Sequence, residues 1–296
     1  MRLSLRSILA FLLCTLILAG CNEAAPRARP VNVVATVTPL ADWARKVGGE
    51  RVRVQVIVPP GVDPRAYQPP AGQRKAIQTA DVVIFNGLGL EPWIDEILDG
   101  AGNARTVVLD VSQFTGPLTE RVPAGGPGVG QRRKLPGPAP LVPAPVYSPY
   151  LWLDPRSAIT QVSLIAQMLT RADEDGLDVY RQNAARYTGE LENLDYRIQR
   201  EVDAWKWPSV LATDRFLYPF ARRYGLPLYV LDDPANRARV PKEQPLLVDH
   251  FAPSAEQARA MGLRRPVAVL NPLAGQTYFE LMRTNVHTMT MAMARP

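Results

Sequence analysis

The chain has 296 residues, 47% hydrophobic and 21% charged, with a formal net charge of +6, two cysteines and two histidines. Its length suffices for one large or two medium domains with a real core. The basic excess is mild and spread along the chain, which excludes a nucleic-acid footprint. Cys14 sits inside an apolar N-terminal run and Cys21 just after it, which excludes a disulfide framework or a cysteine zinc site in the rest of the chain.

Arg2 and Arg6 precede the apolar run Ile8 to Ile17, which is too short for a stable membrane span, and Leu18-Ala19-Gly20-Cys21 closes it. Residues 1–20 therefore read as an export signal. The closing tetrapeptide resembles the bacterial lipobox, whose cysteine becomes the lipidated first residue of the mature protein, so Cys21 is the expected lipidation site. Losing Arg2 and Arg6 with the signal lowers the charge of +6 by two, to +4. Residues 21–30, polar and proline-containing, read as a tether. The expected location is outside the cytoplasm, lipid-anchored at the outer side of the cytoplasmic membrane or in the periplasm.

Val31 to Val37 reads as a strand, and Thr38-Pro39 as N-cap and N1 of a helix to about Val47 that Gly48-Gly49 ends. A second strand, Val52 to Val58, delivers the loop from Val58 to Pro70. Its prolines fix φ and remove donors, so the loop is stiff and holds Arg65 at its tip. A rigid loop at a strand end of an α/β protein is where ligands are usually met. A helix over Ala71 to Ala80, a buried strand Asp81 to Phe85, a helix from Pro92 to Leu98 and a strand from Thr106 to Asp110 follow. Asn86-Gly87-Leu88-Gly89-Leu90-Glu91 lacks the third glycine of a dinucleotide fingerprint and reads as a turn. Gly116 to Pro149, rich in Pro, Gly, Val and Ala, reads as a long loop whose Arg132-Arg133-Lys134 is a solvated patch.

Order resumes at Pro149-Tyr150-Leu151-Trp152-Leu153-Asp154-Pro155, where Asp154 is an N-cap and Pro155 an N1 residue. The helix that follows places Ile159, Val162, Ala166 and Leu169 on one face. A longer helix from about Leu177 to Trp205 carries an apolar stripe at Tyr180, Ala184, Tyr187, Leu191, Leu194, Ile198, Val202 and Trp205, read as core packing. The last third returns to strands (209–213, 228–231, 244–248, 267–270) alternating with helices (216–224, one from near Pro253, one from about Tyr278). The fold class is therefore α/β: two lobes, each a mainly parallel sheet flanked by helices, joined by one long helix with a cleft between them. The expected organisation is an N-terminal lobe over 31–150 with its loop at 116–149, a linking helix over 151–175 and a C-terminal lobe over 176–296.

Several stretches taken together resemble one family, the solute-binding proteins of zinc and manganese ABC importers. They are Val34-Ala35-Thr36-Val37-Thr38-Pro39-Leu40-Ala41-Asp42, Val47-Gly48-Gly49, the run Val58 to Tyr67, and Ala80-Asp81-Val82-Val83 with Asn86 to Trp93. Trp152-Leu153-Asp154-Pro155, Phe220 to Leu226 and Tyr278 to Asn285 complete the set. They occur in the family's order across most of the mature chain. The resemblance implies a metal held between the lobes by one residue from each of four loops, usually histidines and a carboxylate. Those four positions are Arg65, Tyr150, Asp214 and Asn271 here. Arg65 has no lone pair for a cation. Tyr150, Asp214 and Asn271 are oxygen donors, so a divalent or trivalent metal ion would at best be held by these three, weakly, and a harder ion than zinc is favoured. An Arg65–Asp214 pairing across the cleft is a simpler arrangement. His250 and His287 have no partner at ligand spacing and are read as structural.

The implied function is the solute-binding component of a metal-type ABC importer, acting as a monomer with a permease and ATPase and held to the membrane through its lipid, with its metal site substituted. Two alternatives stand beside it: a binder of an anion or anionic metal chelate gripped by Arg65 and Tyr150, and a surface adhesion or scaffold protein without a ligand. No hydrolase, metalloprotease or phosphate-loop motif is present, so no enzyme activity is expected.

Overall fold

The computed structural model describes residues 29–100, 105–114, 148–231, 243–251 and 267–294. The signal segment, Cys21, nearly all of the 116–149 loop and the helix expected near Pro253 lie outside them. The first sheet takes β1 (Val31–Ala35), β2 (Val52–Val56), β3 (Val82–Phe85) and β4 (Val107–Asp110) in the order β2-β1-β3-β4. The second takes β5 (Val210–Ala212), β6 (Leu228–Val230), β7 (Leu246–Asp249) and β8 (Val267–Leu270) in the order β6-β5-β7-β8. Every pairing in both is parallel.

Burial along each strand explains its place. β3 and β7 lie inside their sheets and are apolar up to the end, buried at every residue. β2 is an edge strand whose Arg53 and Gln55 face solvent while Val52, Val54 and Val56 are half-buried. The β1–β2 ladder continues past both strands through Ile57 N–H to Ala35 O and Val58 N–H to Thr36 O, and so delivers the proline-rich loop directly from the sheet.

Helix α1 (Thr38–Gly48) begins one residue earlier than the sequence suggests. Thr38 is its first turn, buried, and Val37 occupies the cap without a side-chain bond. The helix ends where expected. Gly49 adopts φ 55°, and a Cβ on Gly48 would fall 2.3 Å from the Val52 methyl groups, so this corner needs both glycines. Helices α2 (Ala71–Thr79) and α3 (Ile94–Asp99) complete the first layer.

Between the sheets run α4 (Pro155–Ala172) and α5 (Leu177–Asp203), the latter 27 residues long. Asp154 caps α4 by accepting from Arg156 N–H at 2.8 Å, with Pro155 at the first helical position. On α5 six positions of the predicted stripe are buried, Tyr180, Tyr187, Leu191, Leu194, Ile198 and Val202, with Asp195 among them; Ala184 is half-buried, and Trp205, also buried, lies just past the helix end. Each such side chain contributes roughly 1.5–3 kcal/mol by leaving water. The stripe packs against α1 and α4, and α4 in turn covers β3 and β4. Helices α6 (Tyr218–Arg223) and α7 (Tyr278–Met293) close the C-terminal half, α7 lying on β8 and reaching α1. The two-sheet α/β architecture with a long helix between is the one the sequence predicts.

Candidate functional site

In an open parallel sheet the crevice for a ligand opens at the C-terminal ends of neighbouring strands whose connections run in opposite directions. Here those points lie between β1 and β3 in the first sheet and between β5 and β7 in the second.

The first crevice is filled by the protein itself. Thr36 donates its hydroxyl to Glu91, and the N–H groups of Asn86 and Gly87 each donate to that carboxylate at 3.1 Å. Gly87, Leu88 and Gly89 all have positive φ, which curls the turn around it. Burial pushes the Glu91 carboxyl up to about 7, although the Thr36 hydroxyl and the two amides pull the other way. Asn86 sends its Nδ2 to Pro149 O at 2.8 Å, which sets the position of Tyr150.

Above this crevice the 58–70 loop is held by Trp93 and by its own Asp63. Trp93 Nε1 donates to Pro64 O at 2.9 Å, and Asp63 Oδ1 accepts from the Arg65 N–H at 3.0 Å. Arg65 turns its guanidinium back on Asp63, with Nε 2.9 Å from Oδ1 and a terminal nitrogen 3.0 Å from Oδ2. The forked partner is thus Asp63 of the same loop, not the cross-cleft Asp214 expected from the sequence. Geometry explains the preference: two residues apart on a rigid turn, the pair forms without ordering a second element.

At the second crevice Asp214 is half-buried and caps the following turn by accepting from Phe216 N–H at 2.7 Å. Asp249, the last residue of β7, is 2% exposed. Thr213 N–H bonds Leu247 O at 3.1 Å and Asp249 N–H reaches Thr213 Oγ1 at 3.4 Å, so Asp249 lies beside the 213–214 turn. Tyr150 is 1% exposed, and its segment is tied to the same turn through Ser148 Oγ donating to Phe216 O at 3.0 Å. The Tyr150 hydroxyl closes no hydrogen bond of good geometry. Burial first, and the Asp249 charge second, push it above the ordinary tyrosine range, so it remains protonated. Burial also pushes Asp249 up to about 6, reinforced by Asp214 and opposed by Phe251 N–H, Arg65 and Tyr150.

Asn271 stands apart in its bonding. Its Oδ1 already accepts from Leu273 N–H at 2.9 Å, and its Nδ2 faces the opposite loop, where a Cβ on Gly61 would approach to 3.5 Å. Gly61, at φ 77°, donates its N–H to Leu273 O at 2.9 Å. The 271–273 turn and the 58–70 loop therefore meet directly. His250 and His287 are exposed, and the His250 ring lies edge-on to Phe251. Among the described residues no three His, Cys, Asp or Glu side chains form a metal-holding group.

The structure thus brings Arg65 and Asp214 within electrostatic reach of Tyr150, together with Asp63 and Asp249, two residues not among the sequence-predicted site positions. In the sequence Asp249 shows only as a carboxylate after the apolar run Leu246-Leu247-Val248.

A family model, zinc-uptake complex component A, periplasmic, matches residues 33–246. The chain belongs to this family. Among curated relatives it is 32% identical over 167 residues to a putative metal-binding protein of Treponema pallidum, covering 56% of this chain and 51% of that protein. It is 24% identical over 308 residues to the zinc-binding lipoprotein AdcA of Streptococcus pneumoniae, covering 95% and 59%. With the manganese-binding lipoprotein MntA of Bacillus subtilis it shares 28% over 222 residues, covering 73% and 66%. The chain therefore spans between half and two thirds of the length of these relatives. A crystal structure of ZnuA superposes with a TM-score of 0.70 at 25% identity, covering 89% of this chain and 99% of the other. The periplasmic zinc-binding protein TroA of Treponema pallidum gives a TM-score of 0.70 at 20% identity, covering 90% and 100%, a likeness of fold.

Proposed function

We propose that this member of the zinc-uptake family is the solute-binding component of a metal-type ABC importer, lipid-anchored at Cys21, that captures its ligand between two lobes for delivery to a permease and ATPase. We further propose that the imidazole set implied by the family resemblance is substituted here by Arg65, Tyr150, Asp214 and Asn271. The observation that supports this reading is that loops from both sheets bring Arg65 from the first and Asp214 from the second within electrostatic reach of Tyr150. Zinc prefers nitrogen and sulfur, and the oxygen donors here are a poor match for it. An anion or anionic chelate, for its part, finds the Arg65 fork closed on Asp63.

Isothermal titration of the exported chain with zinc tests the substitution. The expected result is zinc binding weaker than micromolar, and zinc binding gained by Arg65→His with Tyr150→His. Micromolar or tighter zinc binding by the unaltered chain would overturn the substituted-site reading.

A further inference from the structure

We propose that the outward face of α5 is a self-association surface, on which a second copy of this chain packs antiparallel and crosses at Asn193. The proposal is independent of the transport reading and departs from the monomer expected from the sequence. Helix α5 turns one stripe to the core and the opposite side to solvent. On the solvent side Asn193 has four neighbours at the three- and four-residue spacings that share a helix face: Gly189 and Glu190 before it, Tyr196 and Arg197 after it.

Tyr196 is 64% exposed, the most exposed large apolar side chain among the described residues. Gly189 lies in mid-helix, where glycine costs backbone freedom, and a Cβ there would meet no atom within 4 Å. Glu190, Asn193, Tyr196 and Arg197 wall a cavity of about 530 Å³ together with the half-buried Phe279 at the start of α7. Among the described residues the Glu190 and Arg197 side chains join no hydrogen bond or ion pair.

The order of these residues selects a second copy as the occupant. A two-fold axis through Asn193 sets the residue three before it on one helix opposite the residue three after it on the other, and likewise at four. Glu190 of each copy then lies beside Arg197 of the other, and the two Asn193 amides meet on the axis. Each Tyr196 ring falls over the Gly189–Glu190 step of the other copy, where the missing Cβ leaves room, and reaches the cavity beside Phe279. Acid before the axis, base after it and an aromatic over a glycine make a self-complementary set. A parallel pairing would instead set Glu190 against Glu190 and Arg197 against Arg197.

The test is sedimentation equilibrium of the exported chain from about 1 to about 200 µM, a range that brackets weak specific dimers. The native sequence is compared with Glu190→Arg, Arg197→Glu, the double variant that exchanges the two charges, and Gly189→Gln. The expected result is a reversible monomer–dimer equilibrium in the micromolar range that added salt weakens. Each single reversal acts twice in a two-fold dimer and should weaken association at least about tenfold. The double variant should restore it to within about threefold of the native chain. Gly189→Gln fills the seat of the ring, so it should weaken the dimer while raising the Tm of the monomer. Circular dichroism checks that the variants fold; if one reversal does not, the other carries the test. A native chain that stays monomeric over the whole range overturns the proposal. So does a dimer indifferent to the reversals, or one that the double variant fails to restore.

Discussion

Two buried side chains set clear expectations at the scale of single residues. Glu91 holds Thr36 and two amides, yet burial pushes its carboxyl up to about 7, above the ordinary 4.5. The folded state therefore keeps a proton that the unfolded chain has already lost between those values. Its contribution to stability is full below about pH 4.5 and is lost as pH rises through about 7, at roughly 1.4 kcal/mol per pH unit inside the window. Urea unfolding followed from pH 5 to 8 should show this decline, and Glu91→Gln should flatten it. Gln161 on α4 is fully buried, and neither atom of its amide has a partner. Replacing it by Met removes two unsatisfied groups at similar volume, and the unfolding free energy should rise by about 1–3 kcal/mol. Unchanged or lowered stability would show that the amide is satisfied by internal water.

Among the elements, the packing of α4, α5 and α6 turns on one carboxylate. Asp195, buried in the α5 stripe, accepts from Arg156 Nε at 3.1 Å, from Arg223 Nε at 2.8 Å and from the Tyr224 hydroxyl at 3.1 Å. Asp195→Ala should cost about 3 kcal/mol, the lower end of the range for breaking a buried pair because Arg156 is half exposed to solvent. A loss below about 1 kcal/mol in denaturant titration would show that the arginines repartner. The stripe itself was legible, since Tyr180, Tyr187, Leu191, Leu194, Ile198 and Val202 step by three and four. The network inside it was not, because Asp195 occupies a stripe position and nothing local distinguishes a buried acid from an exposed one. The same limit explains the cleft. Arg65 and Tyr150 stood out within their own loops, whereas Asp249 acquires its meaning only from the β5–β7 register. Arg65 found its partner two residues away, a local option that a cross-cleft argument overlooks.

At the scale of the whole molecule, one short run of chain gathers contacts from several elements among the described residues. Residues 271–278 receive Gly61 N–H on Leu273 O and Trp152 Nε1–H on Pro272 O at 2.7 Å. Farther in, Tyr278 donates its N–H to Asp42 at 3.0 Å and its hydroxyl to Trp152 O at 2.8 Å, and its ring meets Trp43 at 5.1 Å. Gly61→Ala tests the first link. Its left-handed φ costs a side chain about 1–2 kcal/mol, while the added Cβ meets Asn271 only in ordinary contact at 3.5 Å, so Tm should fall through the backbone strain. An unchanged Tm would mean that the loop relaxes away without loss.

These bonds differ in how soon solvent reaches them. Gly61 is half exposed, whereas Tyr278 is fully buried. Deuterium should therefore replace the Gly61 amide hydrogen in small local excursions and the Tyr278 amide hydrogen only when the entire fold comes apart. The run from 271 to 278 parts like a seam, from its outer stitch inward, and a cargo that tightens the seam would slow exchange at Gly61 long before it altered exchange at Tyr278.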